Sequence, residues 1–171
     1  MAAPSLNPSE LRFLRALLRR KVSFIVVGLS AAALQGAPVV TQDVDLWFEN
    51  LGDPCIREAL RDVGAAYVPP SIQNPPMFAG GGVELFDIVL TMHGLGAFSD
   101  ELPNCLEVPL GRYKLKVLGL DRILTSKRAA NRMKDRLIIP VLEDSLSANS
   151  VAKRRSKIKA VTKMGNRNRL P

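Results

Sequence analysis

The residue types best suited to chemistry in this chain are aspartates, two of which lie close together in the sequence. Asp43 and Asp45 belong to the run DVDLWF, whose β-branched and aromatic side chains predict a strand. Residues two apart on a strand face the same side, so these carboxylates point to one spot with their Cα atoms roughly 6.5 Å apart. A cation relieves the repulsion between them, and hard oxygen ligands suit Mg²⁺. The pair therefore predicts a metal site.

A third carboxylate strengthens this prediction. Asp87 lies in a strand predicted from Val83 to Leu90 that is rich in apolar residues. We expect this strand to be largely buried, where an unpaired carboxylate is costly. If it pairs with the strand of Asp43 and Asp45, three carboxylates converge and can hold two metal ions about 4 Å apart, as nucleotidyl transfer requires.

Each of these aspartates also has a non-catalytic interpretation. Asp43 and Asp45 can be a polar strand end that caps a loop, and Asp87 can be a buried carboxylate satisfied by Lys127, Arg128 or backbone donors.

The segment Gly28-Leu29-Ser30 can supply a phosphate site. It separates a strand predicted from Ser23 to Val27 from the helix formers Ala31 to Gln35. A glycine at such a junction lets the backbone approach a phosphate, and the helix amino terminus offers unpaired N–H groups. Ser30 adds a hydroxyl donor. Because tight turns use glycine for steric reasons alone, the segment gains its significance from its position before the D-x-D pair.

The elements that must position these residues predict an α/β fold: a small mixed sheet flanked by helices, with two helices at the carboxyl end. Asn7-Pro8-Ser9-Glu10 begins the first helix, which ends near Lys21, and Asp53-Pro54 begins another that ends near Val63. The remaining predictions are a loop from Pro69 to Gly82, a hairpin of Leu106 to Pro109 with Tyr113 to Val117, and helices capped by Asp121 and Asp135 that end near Asn131 and Leu146, the second weakened by Pro140.

The composition fits one domain that stays in the cytoplasm. The chain has 171 residues of which 47% are hydrophobic, enough for a core. No apolar run approaches the roughly 20 residues of a membrane span, and we expect no secretory signal. Two distant cysteines and one histidine exclude a C-x-x-C zinc site, so we interpret both cysteines as buried thiols.

The net charge of +8 is concentrated at the carboxyl end. Of the 24 Lys and Arg residues, eight lie in residues 151–171, which contain none of the 16 Asp and Glu residues. We therefore divide the chain into a domain over residues 1–150 and a basic tail over residues 151–171. Few large apolar residues and no capping pattern favour a disordered tail over an arm that contacts nucleic acid.

The order of these motifs is also familiar. The segment FIVVGLSAAALQGAPVVTQDVDLWF resembles the signature of the DNA polymerase β-like nucleotidyltransferase superfamily. The resemblance implies that Gly28 and Ser30 hold the triphosphate of the incoming nucleotide. It also implies that Asp43, Asp45 and Asp87 are catalytic and bind two Mg²⁺ ions.

A later segment is similar to the closing helices of small stand-alone bacterial members, including toxin-like proteins of toxin–antitoxin pairs. This segment is LGLDRILTSKRAANRMKDRLIIPVLED. The similarity implies that Lys127 faces the nucleotide phosphates, followed by Arg132 and Lys134, with Asp135 as a helix cap. Many relatives carry an arginine where this chain has Val39, which removes one phosphate or base contact.

The resemblance implies Mg²⁺-dependent transfer of a nucleoside monophosphate from a nucleoside triphosphate such as ATP. The acceptor is a hydroxyl of RNA, including tRNA, of a protein or of a small molecule. Two alternatives remain open: an inactive protein that keeps the fold for binding, and an RNA-binding module that acts through residues 151–171.

Overall fold

The computed structural model describes residues 6–165, with side chains as far as Ala152. Its helices are α1 (Pro8–Arg19), α2 (Gly28–Leu34), α3 (Pro54–Asp62), α4 (Phe98–Glu101), α5 (Leu120–Ala130) and α6 (Met133–Gly165). Its strands are β1 (Phe24–Val27), β2 (Val44–Phe48), β3 (Ala65–Val68), β4 (Met77–Gly80), β5 (Phe86–Val89), β6 (Cys105–Leu110) and β7 (Tyr113–Leu118). A short 3-10 helix covers Leu102–Asn104.

The main sheet has five strands in the order β5-β2-β1-β7-β6. β1 pairs antiparallel with β2 and parallel with β7, while β2 pairs parallel with β5. The sheet is therefore mixed, which confirms the predicted fold class. The predicted hairpin is β6 with β7, and Pro109 lies within β6, an edge strand where its missing N–H is tolerated.

Aromatic side chains cover both faces of this sheet. Trp47 and Phe48 are neighbours on β2 and so point to opposite faces. Trp47 packs against Phe98 of α4 with ring centroids 5.4 Å apart, and Phe48 packs against Phe78 of β4 at 6.0 Å. Helix α4 therefore covers part of the second face of the sheet.

The first helix begins as its sequence predicts. The Asn7 side chain accepts a hydrogen bond from the Glu10 N–H at 2.9 Å, and the Glu10 carboxylate accepts one from the Asn7 N–H at 2.7 Å. Pro8 occupies the first turn, where a missing N–H costs nothing. Helix α3 begins in a similar way, since Asp53 accepts from the Cys55 N–H at 2.9 Å.

A second, two-stranded sheet of β3 and β4 is absent from the predictions. β4 lies inside the segment from Pro69 to Gly82, which was predicted to be a loop because of its prolines and glycines. Phe78 explains why a strand forms there: it is 2% exposed and packs edge-on against Phe13 of α1, with centroids 5.3 Å apart. A contact between residues so distant in sequence overrides the local turn signals.

The carboxyl-terminal helices differ in detail from their predictions. Helix α5 begins at Leu120 with Gly119 as its N-cap, so Asp121 lies inside the helix and does not cap it. Helix α6 begins at Met133 and its backbone continues past the predicted end near Leu146 to Gly165, through Pro140 and much of the predicted basic tail. Residues 166–171 of that tail lie outside the described residues. No helix in residues 6–165 is long and apolar enough to cross a membrane.

We predict that Phe13→Ala destabilises the fold by about 3–5 kcal/mol, because it leaves a cavity where α1 meets β4 and β5. Phe13 is 0% exposed and contacts both Phe78 and Phe86. Urea denaturation measures the loss. Leu137→Ala is the control, since Leu137 is 77% exposed and its removal should cost less than about 0.5 kcal/mol. Equal losses in the two variants would contradict this account of the core.

Candidate active site

The structure places two of the three aspartates side by side. Parallel pairing of β2 with β5 makes Asp45 and Asp87 direct neighbours in the sheet. Asp45 is half-buried, whereas Asp87 and Asp43 are exposed, and Asp43 immediately precedes β2. The expectation of a largely buried strand around Asp87 is wrong, because β5 lies at the edge of the sheet and leaves this carboxylate open to solvent.

The three carboxylates interact through their charges. Burial, followed by the charge of Asp87, raises the pKa of Asp45 to about 6, against an ordinary value of 3.8. Loss of solvent contact and then the charge of Asp43 also raise the pKa of Asp87. The charge of Lys127 opposes the shift at Asp45, and that of Lys134 opposes both shifts. The folded chain thus holds negative charges together at an energetic cost, with lysines nearby.

Gly28 makes room for this arrangement. Its φ of +64° lies in the left-handed region, where a side chain is strained. A Cβ at this position would overlap the Asp45 Oδ2 atom. The glycine of the G-x-S turn therefore serves the carboxylate site directly, because only a residue without a side chain allows Asp45 to lie against the start of α2.

Ser30 ties the same turn to the strands. Its hydroxyl is buried, donates to the Val27 carbonyl at 2.9 Å and accepts from the Asp45 N–H at 3.3 Å. These bonds fix the β1–α2 junction against β2 and so position the Asp45 backbone. The nucleotide contact predicted for Ser30 stays a prediction, since the structure shows its hydroxyl proton directed to Val27.

A buried acid organises the basic side of the site. Asp135 is 0% exposed and receives Lys127 Nζ at 3.0 Å and Arg132 Nε at 2.7 Å. Burial alone would raise its pKa, but the hydrogen bonds from Arg132 and Lys127 lower the pKa of Asp135 to about 2. Helix α6 begins at Met133, so Asp135 lies in its first turn and is not its cap, and its carboxylate accepts a hydrogen bond from the Arg132 N–H at 3.3 Å.

These pairings bear on the alternative interpretation of Asp87. Lys127 pairs with Asp135, and Arg128 pairs with Glu143 at 2.5 Å. Among the side chains of residues 6–152, no cation lies within ion-pair distance of Asp87. The proposed satisfaction of Asp87 by Lys127 or Arg128 is therefore wrong.

Sequence reasoning missed the way in which Asp135 links the two terminal helices. The signal lies in its position, eight residues after Lys127, with Asn131 between them in a left-handed turn of φ 48°. Such a turn reverses the chain, so that the end of α5 and the start of α6 face each other. From the sequence, Asp135 is predicted only to be a helix cap.

The donor set suits a hard divalent cation. Asp45 and Asp87 offer adjacent carboxylates whose raised pKa values reflect a repulsion that a cation would relieve. In the part of the chain whose side chains are described, no three acidic, histidine or cysteine side chains already stand together as a metal-binding group. Asp43 would have to turn toward the pair to complete the predicted set.

Comparison with known proteins identifies the fold. No protein-family model matches the sequence, and no curated protein matches it. The structure is similar to the crystal structure of ANT(2'')-Ia in complex with adenylyl-2''-tobramycin, with a TM-score of 0.54 and 15% identity over 88% of this chain and 95% of the other. It is also similar to the solution structure of the antibiotic-resistance factor ANT(2'')-Ia, with a TM-score of 0.55 and 16% identity over 94% and 97%. The chain therefore has a nucleotidyltransferase fold.

We predict that Asp45→Asn stabilises the protein near neutral pH. Because the pKa of Asp45 is raised to about 6 on folding, the wild-type chain loses stability as the pH rises from 3.8 to about 6. The variant should gain about 1–3 kcal/mol in urea denaturation at about pH 7.5, and the gain should vanish near pH 4. The exposed Asp144→Asn on α6 is the control. A destabilised Asp45→Asn variant at neutral pH would contradict the raised pKa.

We further predict that Gly28→Ala destabilises the fold more than Gly64→Ala does. Both glycines have positive φ, which costs alanine about 1–2 kcal/mol, but a Cβ at Gly64 meets nothing within 4 Å. The additional loss at Gly28 comes from overlap with Asp45. A thermodynamic cycle measures it: in the Asp45→Ala background, Gly28→Ala should cost no more than Gly64→Ala. An unchanged cost there would show that Asp45 is not the obstacle.

Proposed function

We propose that this protein transfers a nucleoside monophosphate from a nucleoside triphosphate to a hydroxyl acceptor. The observation that carries the proposal is the register of β2 with β5, which places Asp45 beside Asp87 at the solvent edge of the sheet. Two adjacent carboxylates of raised pKa contribute nothing to the stability of the fold, so a chemical role explains their presence better. The nucleotidyltransferase fold supports the same conclusion.

The proposed reaction is a displacement at the α-phosphorus. The acceptor oxygen forms a bond to this phosphorus, and the bond from phosphorus to the bridging oxygen of the β-phosphate breaks. Pyrophosphate leaves with that electron pair, and the acceptor proton passes to a carboxylate or to water. Asp87 is suited to receive the proton because it is exposed and its pKa is raised.

The basic residues would bind the triphosphate. Lys127 and Lys134 both act on Asp45 through their charges, so a phosphate chain beside Asp45 lies within their field. Lys127 is held by the buried Asp135 with little freedom to reorient, which reduces the entropy lost on binding. Arg132 shares this partner. The phosphate contact predicted for Gly28 stays a prediction, since the Asp45 carboxylate occupies the space beside its Cα.

Asp43, Asp45 and Asp87 would hold Mg²⁺, with two ions expected. When bound, these ions stabilise charge on the phosphoryl oxygens and lower the pKa of the acceptor hydroxyl. The pairing of β2 with β5 keeps Asp45 beside Asp87, and Gly28 leaves room for the Asp45 carboxylate because it has no side chain.

The proposal extends to the identity of the acceptor and to the biological role of the protein. ANT(2'')-Ia was crystallised with an adenylyl antibiotic, and a small-molecule acceptor is one candidate here; RNA, including tRNA, and protein are the others. A toxin-like role with a partner antitoxin follows only from the sequence resemblance. The rival functions are an inactive fold kept for nucleotide binding and an RNA-binding module that uses residues 151–171.

We predict that the purified protein, given Mg²⁺ and labelled nucleoside triphosphates, transfers label to an acceptor in a panel of tRNA, cell extract and small hydroxyl compounds. The Asp43→Ala/Asp45→Ala variant should lose at least roughly a hundredfold in rate, since the proposed metal ligands and their field are gone. Asp144→Ala should behave as wild type, because Asp144 is an exposed carboxylate on α6.

The alternative outcomes separate the rival functions. Mg²⁺-dependent nucleotide binding without transfer would indicate an inactive binding protein. RNA binding that is lost on deletion of residues 151–171, with neither transfer nor nucleotide binding, would indicate the RNA-binding module.

A further inference from the structure

A cleft of about 570 Å³ opens beside the carboxylates. We call it the α1–α2 cleft: it lies between the start of α1, helix α2 and the loop of residues 37–43 that leads into β2. Its walls are mainly aliphatic, and Leu14, Val26, Leu34 and Val39 are among them. Clefts of about 300–1,000 Å³ with apolar walls and a few polar groups are typical of small-molecule sites.

The charge of the α1–α2 cleft selects among possible occupants. Glu10 and Asp43 both line it, and no lysine, arginine or histidine is among the described residues that do. Glu10 is 5% exposed and accepts a hydrogen bond from the Asn7 N–H, which keeps this carboxylate in place. An anionic occupant would meet the charge of Glu10 without compensation even with a cation at Asp43, whereas an uncharged or cationic one would not.

The α1–α2 cleft is continuous with the candidate active site. Ser30 and Asp43 line it, and the Ser30 hydroxyl accepts from the Asp45 backbone. Lys127 and Lys134, whose charges act on Asp45, are not among the residues that line the cleft. The triphosphate is expected at the lysines. In-line displacement places the attacking oxygen opposite the leaving group, which is away from them.

We propose that the α1–α2 cleft binds the acceptor, and that this acceptor is a small, largely apolar molecule that carries a hydroxyl group and is uncharged or cationic. The inference rests on the proposed function and adds the class of acceptor to it. Val40 supports it: this apolar side chain is 93% exposed at the rim, where an apolar acceptor would cover it. RNA is disfavoured, because its phosphates would approach the Glu10 carboxylate.

Three matched probes test the chemistry of the cleft without depending on catalysis. They are 2-(1-naphthyl)ethanol, 2-(1-naphthyl)ethylamine and 1-naphthylacetate, which share one ring system and differ in charge. We expect the full-length protein to bind the alcohol and the amine at least roughly tenfold more tightly than the carboxylate. Equilibrium titration by probe fluorescence or ligand-observed NMR measures this. Equal affinity for all three, or no binding, would overturn the proposal.

Two variants locate the binding. Val39→Trp fills the half-buried wall of the cleft and should weaken binding of the alcohol about tenfold. Val40→Lys adds a cation at the exposed rim and should reduce the discrimination against 1-naphthylacetate. Ile72→Trp and Ile72→Lys are the controls, because Ile72 is fully exposed and does not line the cleft. All four variants should unfold in urea with the same cooperative transition as the wild-type protein, which confirms that they are folded.

The outcomes keep this inference distinct from the proposed function. Label transfer to RNA that Val39→Trp leaves unchanged would overturn the acceptor cleft and leave nucleotidyl transfer standing. Probe binding that depends on Val39 and on charge, in a protein that transfers no label, would overturn the proposed function and retain the cleft as a binding site. Equal effects of the Val39 and Ile72 substitutions would overturn the cleft assignment.

Discussion

The structure depends on one costly contact, the placement of Asp45 beside Asp87 across two parallel strands. Like charges in a partly buried position repel, and the raised pKa of Asp45 records the cost. Two residues near this contact, Gly28 and Ser30, help to maintain it. Gly28 leaves space that any side chain would fill, and Ser30 bonds to both strands that flank the turn. The aromatic core, in which Phe13 packs against Phe78 and Phe86, supplies stability that offsets this repulsion.

The positive side of the site is arranged by a different principle. Two carboxylates are held together without neutralisation, whereas Lys127 and Arg132 are gathered around a carboxylate that is completely buried. Removal of one partner of such a buried pair is more damaging than replacement of both, because it leaves a charge without compensation. Asp135 therefore fixes the geometry of the cations while the solvent-exposed Asp87 keeps its freedom to bind.

The sequence predicts what depends on local pattern. The Asn7–Glu10 box defines the start of α1 without any knowledge of the fold, and the β-branched and aromatic run predicts the strand that carries Asp45. Features that depend on distant contacts could not be predicted. The strand at Phe78 exists because Phe13 packs on it, and the exposure of Asp87 follows from the position of β5 at the sheet edge. The order of the strands in the sheet is likewise not encoded by the spacing of residues.

Pro140 gives helix α6 a mechanical property. The helix has 33 residues, and at 1.5 Å per residue it is about 50 Å long. Lys134 and Asp135 lie in its first turn, whereas the six basic residues from Lys153 to Lys163 belong to its distant half. A proline has no N–H to bond the preceding turn, so the helix bends more easily there than elsewhere. A bend at residue 140 changes the direction of the distant half of the helix and leaves Lys134 in its place beside the carboxylates.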